Sequence, residues 1–434
     1  MTVPLSIRRA EYVRLGPSTT GCVLIAVAAV LLGFTLDFAD RPELAVVTGG
    51  LALSAYALGL MWIVGRSQFG DLGLVRWKIG PWTLLWYSLV FGIATVTWSQ
   101  PQTGIAAQIA VSSVLRSLWL VTVGLTCWTI GYCADPGTSI RGSVQRGVDT
   151  LRSRFADEIR SPAAPWLLYA IGLAARLATV ATTGRLGYVG DVSSAVSSAS
   201  GLAGLLGALS LCAPLAVSAA ALQVFRERLP HARATLLVLF AVELAFGAAA
   251  GGKQNFIIAV LAVVIPFCAA RRRLPKVSLV AIVLIFLYIV MPFNQAYRAV
   301  ARQGSVTLTP GQALAAAPQI LRQTVTEQNP LAVVPQSIDE FIHRIRDIDS
   351  PAFYRYGGWL PVVLGMFLIG SGVRLLDNIV DIRANPQTLF LVLLLFPSLV
   401  RGEYDWQAIV SSLPSAAVVW LLSVALVFRP RRSG

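Results

Sequence analysis

The chain has 434 residues, of which 56% are apolar and 13% are charged, and its mean hydropathy is +0.70. Soluble domains are typically about 45–50% apolar and about 25% charged, so this composition excludes an ordinary soluble enzyme. It also excludes a disordered protein, because the apolar residues form long uninterrupted runs. The sequence therefore predicts an all-α, polytopic transmembrane helical bundle.

The apolar runs give the number of membrane spans. A transmembrane helix needs about 20 apolar residues and must satisfy its backbone hydrogen bonds internally. This criterion predicts about 12 spans within a single membrane domain, residues 1–434. In chain order the spans are 21–36, 44–65, 82–98, 105–133, 163–183, 199–224, 234–251, 255–270, 277–293, 358–376, 387–400 and 406–428.

The charge pattern predicts the orientation of these spans. Lys and Arg total 35 against 21 Asp and Glu, a net charge of +14. In a membrane protein such an excess indicates cytoplasmic loops rather than nucleic-acid binding. Every second connection is basic, which predicts a multi-pass protein of the cytoplasmic membrane with both termini in the cytoplasm. The basic connections are the leader, 66–80, 134–162, 226–233, 271–276 and the C-terminal tail.

The alternate connections are then expected to face outward, and most of them are short. The exception is the segment 294–357 between spans 9 and 10, which is predicted to be an extracytoplasmic loop. A connection of this length is uncommon and is usually functional. Its many charges, on a chain otherwise poor in charge, make it the first candidate for a functional region.

Several basic residues oppose the positive-inside rule, because they lie near the predicted outer boundary. They are Arg185, Lys253, Arg298, Arg302 and Arg401. The pair Arg298 and Arg302 has i, i+4 spacing, so both guanidinium groups project from one face if the ninth helix continues beyond the membrane. Two such groups can hold a diphosphate bidentately. The alternatives are snorkelling to lipid head groups and pairing with acidic residues of the same loop.

The tight turn Gly251-Gly-Lys253 joins the seventh and eighth spans. Lys253 begins the eighth helix, where a bound anion would relieve its conflict with the positive end of the helix dipole. A plain turn is the alternative, since the motif lacks the spacing of a phosphate-binding loop. Below the turn, Arg176 and Glu243 lie within predicted spans. We expect Arg176 either to reach the same pocket as Lys253 or to pair with Glu243.

Candidates for a general base are His343, the only outward-facing histidine, and Glu403 in the short loop before the last span. Histidine has a pKa suited to proton transfer near neutrality. No cysteine or histidine spacing typical of a metal site is present, so no metal and no cofactor is expected.

These features together resemble the bacterial oligosaccharide repeat-unit polymerases, the Wzy-like O-antigen and exopolysaccharide polymerase family. The resemblance covers most of the chain from about residue 160 onward. It is carried by the multi-span body and by three stretches: Glu243–Asn255, Tyr297-Arg-Ala-Val-Ala-Arg302, and Phe396-Pro-Ser-Leu-Val-Arg401-Gly-Glu403. The chain departs from the family pattern in having only three spans after the long loop, with little second loop after Trp359.

The resemblance implies a GT-C-like glycosyltransferase that joins polyprenyl-diphosphate-linked oligosaccharides at the outer face of the cytoplasmic membrane. Arg298, Arg302 and Lys253, with Arg176, Arg185 and Arg401, would bind the diphosphate, and His343 or Glu403 would act as the base. The implied partners are the lipid-linked oligosaccharide, membrane lipids, a flippase and a chain-length regulator, without nucleic acid.

Three other functions remain open on the sequence. A ligase that attaches finished polymer to an acceptor needs almost the same chemistry. Another GT-C-like transferase would normally carry an acid in a large first outer loop, and that loop is very short here. A transporter or flippase would predict broken helices in two repeated halves, and no such repeat is visible.

Overall fold

The structure is a computed structural model. It describes residues 18–38, 40–65, 74–99, 110–134, 142, 146–147, 149–150, 153–184, 186, 189, 201–229, 231–301, 309–327, 358–380, 382, 385–399 and 406–431.

Helices dominate this part of the chain, as the apolar runs predict. They are α1 Thr19–Asp37, α2 Pro42–Val64, α3 Ile79–Tyr87, α4 Val111–Cys133, α5 Ala164–Thr183, α6 Gly201–Ser210, α7 Cys212–Leu222, α8 Ala232–Ala249, α9 Lys253–Arg271, α10 Lys276–Ile285, α11 Met291–Ala301, α12 Pro310–Glu327, α13 Trp359–Ile379, α14 Gln387–Leu399 and α15 Trp406–Val427. Single π-helical segments extend α3, α7 and α10, at Ser88–Gly92, Gln223–Glu227 and Phe286–Val290. Two short strands, β1 Phe155–Ile159 and β2 Phe428–Pro430, pair antiparallel.

Within the described ranges, nine helices are long and apolar enough to cross a membrane. They are Thr19–Asp37, Pro42–Val64, Val111–Cys133, Ala164–Thr183, Gly204–Glu227, Ala232–Ala249, Gln254–Arg271, Lys276–Asn294 and Trp359–Ile379. The chain is therefore an all-α, multi-pass membrane protein. The other three predicted spans are also helical, but α3 has only 9 residues before it continues as π- and 3₁₀-helix, α14 has 13 residues and α15 has a shorter apolar section at Leu413–Val427. The count of twelve stays a prediction.

The chain forms two compact units. The first contains Met1–Val148, Phe341–Asp381 and Ser398–Trp406, and the second contains Asp149–Glu340, Ile382–Pro397 and Gln407–Gly434. In the first unit α1 packs on α2, and α4 packs along α13. In the second unit α7 packs against α5, α8 and α9 and supplies a fully buried core from Cys212 to Leu222.

The strand pair β1–β2 lies at one end of the second unit and links the C-terminal tail to the predicted 134–162 connection. The Glu227 carboxylate accepts a hydrogen bond from the Ile159 amide at 2.8 Å, and the Gln387 amide donates to the Ala156 carbonyl at 3.1 Å. The charge pattern assigns three of these segments, 134–162, 226–233 and the C-terminal tail, to one side of the membrane. These segments lie together at one end of the second unit, in agreement with the alternation of basic connections along the chain. The side of the membrane on which they lie stays a prediction.

Candidate functional site at the Gly251–Lys253 turn

The opposite end of the second unit contains the tight turn between α8 and α9. Gly251 adopts a left-handed conformation with φ of 61°, and the Gly252 amide donates to the Gly247 carbonyl at 3.2 Å. A side chain at Gly251 would be strained, because this backbone conformation favours glycine. The helix α9 begins at Lys253 with no side-chain cap and no acidic residue in its first turn. Backbone amides and a cationic residue therefore share the start of α9, as an anion site requires.

The helix α11 is attached to this turn by a buried tyrosine. The Tyr297 hydroxyl donates to the Ala249 carbonyl at 2.9 Å, and Tyr297 is only 1% exposed. Burial raises the pKa of the Tyr297 phenol, which keeps the hydroxyl protonated as a donor. Arg298 is the next residue of α11, and Lys253 follows Ala249 by four residues. The structure thus brings the backbone positions of two predicted diphosphate ligands to the same end of the unit.

The helix α12 covers the same region and lies within the predicted extracytoplasmic loop. An apolar cluster joins α11, α12 and the end of α8; its buried members are Val189, Phe293, Tyr297 and Ile320, with Ala248, Ala316 and Ala317 packed against them. The polar face of α12 is exposed at Gln319, Arg322 and Gln323. The predicted loop therefore begins with two packed helices beside the turn.

Arg176 and Glu243 form a buried ion pair below the turn. Both guanidinium Nη atoms donate to the Glu243 carboxylate, at 2.7 and 2.6 Å, and the two side chains are 10% and 2% exposed. The guanidinium also stacks on Phe246, 4.1 Å from the ring centroid. The sequence analysis gave this pairing of Arg176 with Glu243 as one of two alternatives. The pairing occupies both terminal nitrogens of Arg176, which a phosphate would need for bidentate binding.

An apolar layer lies between this ion pair and the turn. Leu186, Ala249 and Ala250 are buried there, with Val180 and Phe246 packed against them. Val180 is one helical turn beyond Arg176, and Phe246 is one turn beyond Glu243, so the layer covers the pair on the side of the turn. A pocket shared by Arg176 and Lys253 stays a prediction, because the Lys253 side chain lies outside the described residues.

Asn294 is a polar residue that the sequence analysis missed. It is 2% exposed, its amide nitrogen donates to the Val290 carbonyl at 2.9 Å, and its Oδ1 atom has no hydrogen-bond partner. Buried amide oxygens usually accept a hydrogen bond, which makes Asn294 a candidate to bind a ligand hydroxyl. The sequence signal for Asn294 is a polar residue directly after an apolar run and one helical turn before Arg298.

A buried charge that the sequence analysis missed lies in the first unit. Asp377, 2% exposed, accepts hydrogen bonds from the Ile79 and Gly80 amides, at 2.7 and 2.9 Å, and from the Tyr132 hydroxyl at 2.8 Å. Lys78 donates to the backbone carbonyls of Asp377 and Val380. Both carboxylate oxygens serve as a cap for the start of α3, so this cluster is structural.

The remaining predicted site residues are Arg185, Arg302, His343, Arg401 and Glu403, and they lie outside the described residues, as do the side chains of Lys253 and Arg298. In the described part of the chain, no group of three His, Cys, Asp or Glu side chains is placed to hold a metal ion.

Comparison with known proteins gives no match to a protein-family model, to a curated protein or to a solved structure.

Proposed function

We propose that the protein is a membrane polysaccharide polymerase, which joins polyprenyl-diphosphate-linked oligosaccharide repeat units on the outer face of the cytoplasmic membrane. In this reaction an acceptor hydroxyl attacks the anomeric carbon of the donor sugar. A new C–O bond forms, the bond from that carbon to the diphosphate oxygen breaks, and polyprenyl diphosphate leaves. A base accepts the hydroxyl proton, and His343 and Glu403 are our candidates for it.

The observation that carries this proposal is the hydrogen bond from Tyr297 to Ala249, which joins α11 to the Gly251–Lys253 turn. It places the backbones of Lys253 and Arg298 at one end of the second unit. A departing diphosphate needs positive charge and hydrogen-bond donors where its negative charge develops. Cationic side chains beside the amides at the start of α9 would supply both. Arg176, committed to Glu243, is better assigned to supporting the turn.

The decisive experiment deletes the gene and examines the lipid-linked saccharides. Single repeat units that accumulate on the outer leaflet would support polymerisation. Long polymer without its final acceptor would indicate a ligase, and repeat units retained on the inner leaflet would indicate a flippase; either result would overturn the proposal.

Site variants test the assignment of residues. We expect Arg298→Ala and Lys253→Ala to reproduce the deletion with normal amounts of protein in the membrane, because each removes positive charge at the leaving group. Loss of one such interaction typically lowers the rate about 100- to 1,000-fold. Arg322→Ala on the exposed face of α12 is the control. Polysaccharide of normal length in both Arg298→Ala and Lys253→Ala would show that the site is assigned wrongly.

The sidedness of the site is tested by labelling single cysteines at 253 and 302 with a membrane-impermeant maleimide in intact cells. Labelling from outside is expected. Labelling only after the cytoplasmic face is opened would place the turn on the wrong side for this reaction.

A further inference from the structure

The end of the second unit that carries the strand pair is strongly basic, and it is termed the basic end. Eleven basic and three acidic residues occur in its four segments, which are 153–160, 223–233, 271–276 and 428–431. All eleven basic side chains are exposed. Among the described residues of these segments one ion pair forms, between Arg226 and Asp157 at 3.7 Å. A surplus of eight positive charges is therefore not balanced within the described part of this end.

Specific contacts bring the four segments together. The strands β1 and β2 pair, and the Glu227 carboxylate accepts a hydrogen bond from the Ile159 amide in β1. The rings of Phe225 and Phe267 meet edge to face, with their centroids 5.3 Å apart. This ring contact holds the last turn of α9 beside the π-helical extension of α7. The basic residues of all four segments thus lie at one end of the unit.

The basic end lies where the apolar helices of the second unit begin and end. The helices α7, α9 and α15 end here, and α5, α8 and α10 begin here. The ends of membrane helices lie at the depth of lipid head groups, and clusters of basic residues at such positions typically bind anionic lipids. The alternation of basic connections accounts for the abundance of basic residues here, but it selects no partner for any one of them.

Two of these arginines adopt a backbone conformation that favours glycine. Arg228 follows the π-helical extension of α7 with φ of 58°, and Arg272 follows α9 with φ of 56°. At the opposite end of the unit, the same conformation is adopted by Gly184 after α5 and by Gly251 after α8. A side chain is disfavoured in this conformation, because its Cβ atom crowds the following carbonyl oxygen. Arginine at these two positions therefore costs stability that glycine would not.

The helix dipole does not account for the two arginines. The negative end of a helix favours a cation in its last turn. Arg226 and Arg271 already occupy the last turns of these two helices. A bound anion that contacts the guanidinium groups of Arg228 and Arg272 would offset the cost of their backbone conformation.

We propose that the basic end binds the phosphate groups of anionic phospholipids in the adjoining leaflet, with Arg228 and Arg272 as the principal ligands. A guanidinium group matches two phosphate oxygens bidentately, and the contact of Phe225 with Phe267 keeps the two ligands on neighbouring helix ends. A zwitterionic lipid carries the same phosphate together with a cation, which the surplus positive charge repels. This binding does not require the proposed polymerase reaction.

The test measures thermal unfolding of the purified full chain in dodecyl maltoside while phosphatidylglycerol or phosphatidylcholine is added. Phosphatidylglycerol should raise the unfolding midpoint more than phosphatidylcholine does, because a ligand of the folded state stabilises it. The difference should shrink between about 50 mM and about 500 mM NaCl, since salt screens exposed charges. We expect Arg228→Gly and Arg272→Gly each to weaken phosphatidylglycerol binding about fivefold, the typical effect of one basic residue at an anionic surface.

The glycine variants also separate binding from folding. Without lipid, their unfolding midpoints should equal or exceed that of the wild type, because glycine relieves the left-handed conformation. Arg322→Ala removes one exposed positive charge from α12 and should leave lipid binding unchanged. Lower lipid-free stability of both glycine variants would show that the arginines are structural. That result, equal effects of the two lipids, or an equal loss in Arg322→Ala would overturn the inference.

Native mass spectrometry identifies the bound molecule independently of stability. Phosphatidylglycerol retained by the wild type and lost from the variant with both glycine substitutions is expected. Displacement of the lipid by millimolar glycerol phosphate would indicate a site for a soluble phosphate. Tighter binding of a short RNA than of phosphatidylglycerol would indicate a nucleic-acid surface. Either of these two results would overturn the inference.

Discussion

Both compact units contain helix pairs in close contact through glycine, and they differ at α10. In the first unit, a Cβ atom at Gly131 would overlap the Phe367 carbonyl, so α4 and α13 touch backbone to backbone. In the second unit, a Cβ atom at Gly172 would likewise overlap the Ala213 backbone, whereas α10 has no buried residue. Close contact through glycine gives a rigid helix pair, because van der Waals packing drives helix association in lipid. Packing within its unit therefore stabilises α10 less than it stabilises α4 and α13.

The two units also differ in how their buried charged residues are paired. Asp377 accepts hydrogen bonds from two backbone amides and a tyrosine hydroxyl. Lys78 donates a hydrogen bond to the Val380 carbonyl at the end of the same helix, α13. Arg176 and Glu243 form one bidentate pair beneath a thin apolar layer. A buried charge that loses its partner is costly, whereas removing both charges can be nearly neutral. Four predictions test these differences in packing and charge, from the largest expected effect to the smallest.

Asp377→Ala is expected to cause the largest loss of stability. It leaves two backbone amides, the Tyr132 hydroxyl and the Lys78 charge without this carboxylate, at a cost of about 3–5 kcal/mol. The measurement is the midpoint of thermal unfolding in detergent, with membrane abundance as a second readout. Asp377→Asn keeps one acceptor oxygen and should be intermediate. Wild-type stability of Asp377→Ala would show that the cap is dispensable.

The second unit should be destabilised by either single substitution, Glu243→Gln or Arg176→Gln, because each leaves the partner's charge buried and unpaired. The double variant should recover much of the lost stability, since it removes both charges. A coupling energy of roughly 0.5–3 kcal/mol is expected from the double-mutant cycle. Thermal unfolding of all four proteins gives this value. If Arg176 binds the diphosphate instead, Arg176→Gln will abolish polymer formation while Glu243→Gln leaves it unchanged.

Gly131→Ala should destabilise the α4–α13 pair by about 1–3 kcal/mol, because the added methyl group overlaps a backbone carbonyl. Gly372→Ala is the matched control in α13, where an added Cβ meets no atom within 4 Å. That variant should be neutral or slightly stabilising, since alanine favours a helix. Equal unfolding midpoints for the two variants would contradict the close contact.

Tyr297→Phe should have the smallest effect, about 0.5–1.5 kcal/mol, from the loss of one hydrogen bond to Ala249. Because burial raises the pKa of Tyr297, the protonated form is favoured in the folded state. Its contribution is complete below the unfolded pKa of about 10 and decreases as the pH rises through the higher folded pKa. The difference in unfolding midpoint between wild type and variant should therefore be constant to about pH 9 and narrow above pH 10. A constant difference at all pH values would argue against the buried phenol.

Local patterns were sufficient to predict most of the helices and the special geometry of one turn. The apolar runs predict α2, α4, α5 and α13 within a few residues, because a membrane span must be long, apolar and internally hydrogen-bonded. The two glycines before Lys253 predict a tight turn, and Gly251 adopts the left-handed conformation. The alternatives for Arg176 were also visible, since an ionisable residue in a span needs a partner.

Sequence by itself thus determined that this protein is a helical membrane protein, where its chain turns, and which residues carry unusual charge. Only the tertiary structure decided that Glu243 is the partner of Arg176 and that Asp377 caps α3. These contacts join residues that are 67 and 298 positions apart in the sequence. Periodicity and composition describe only near neighbours along the chain, whereas packing selects among distant partners through shape and the need to pair every buried charge.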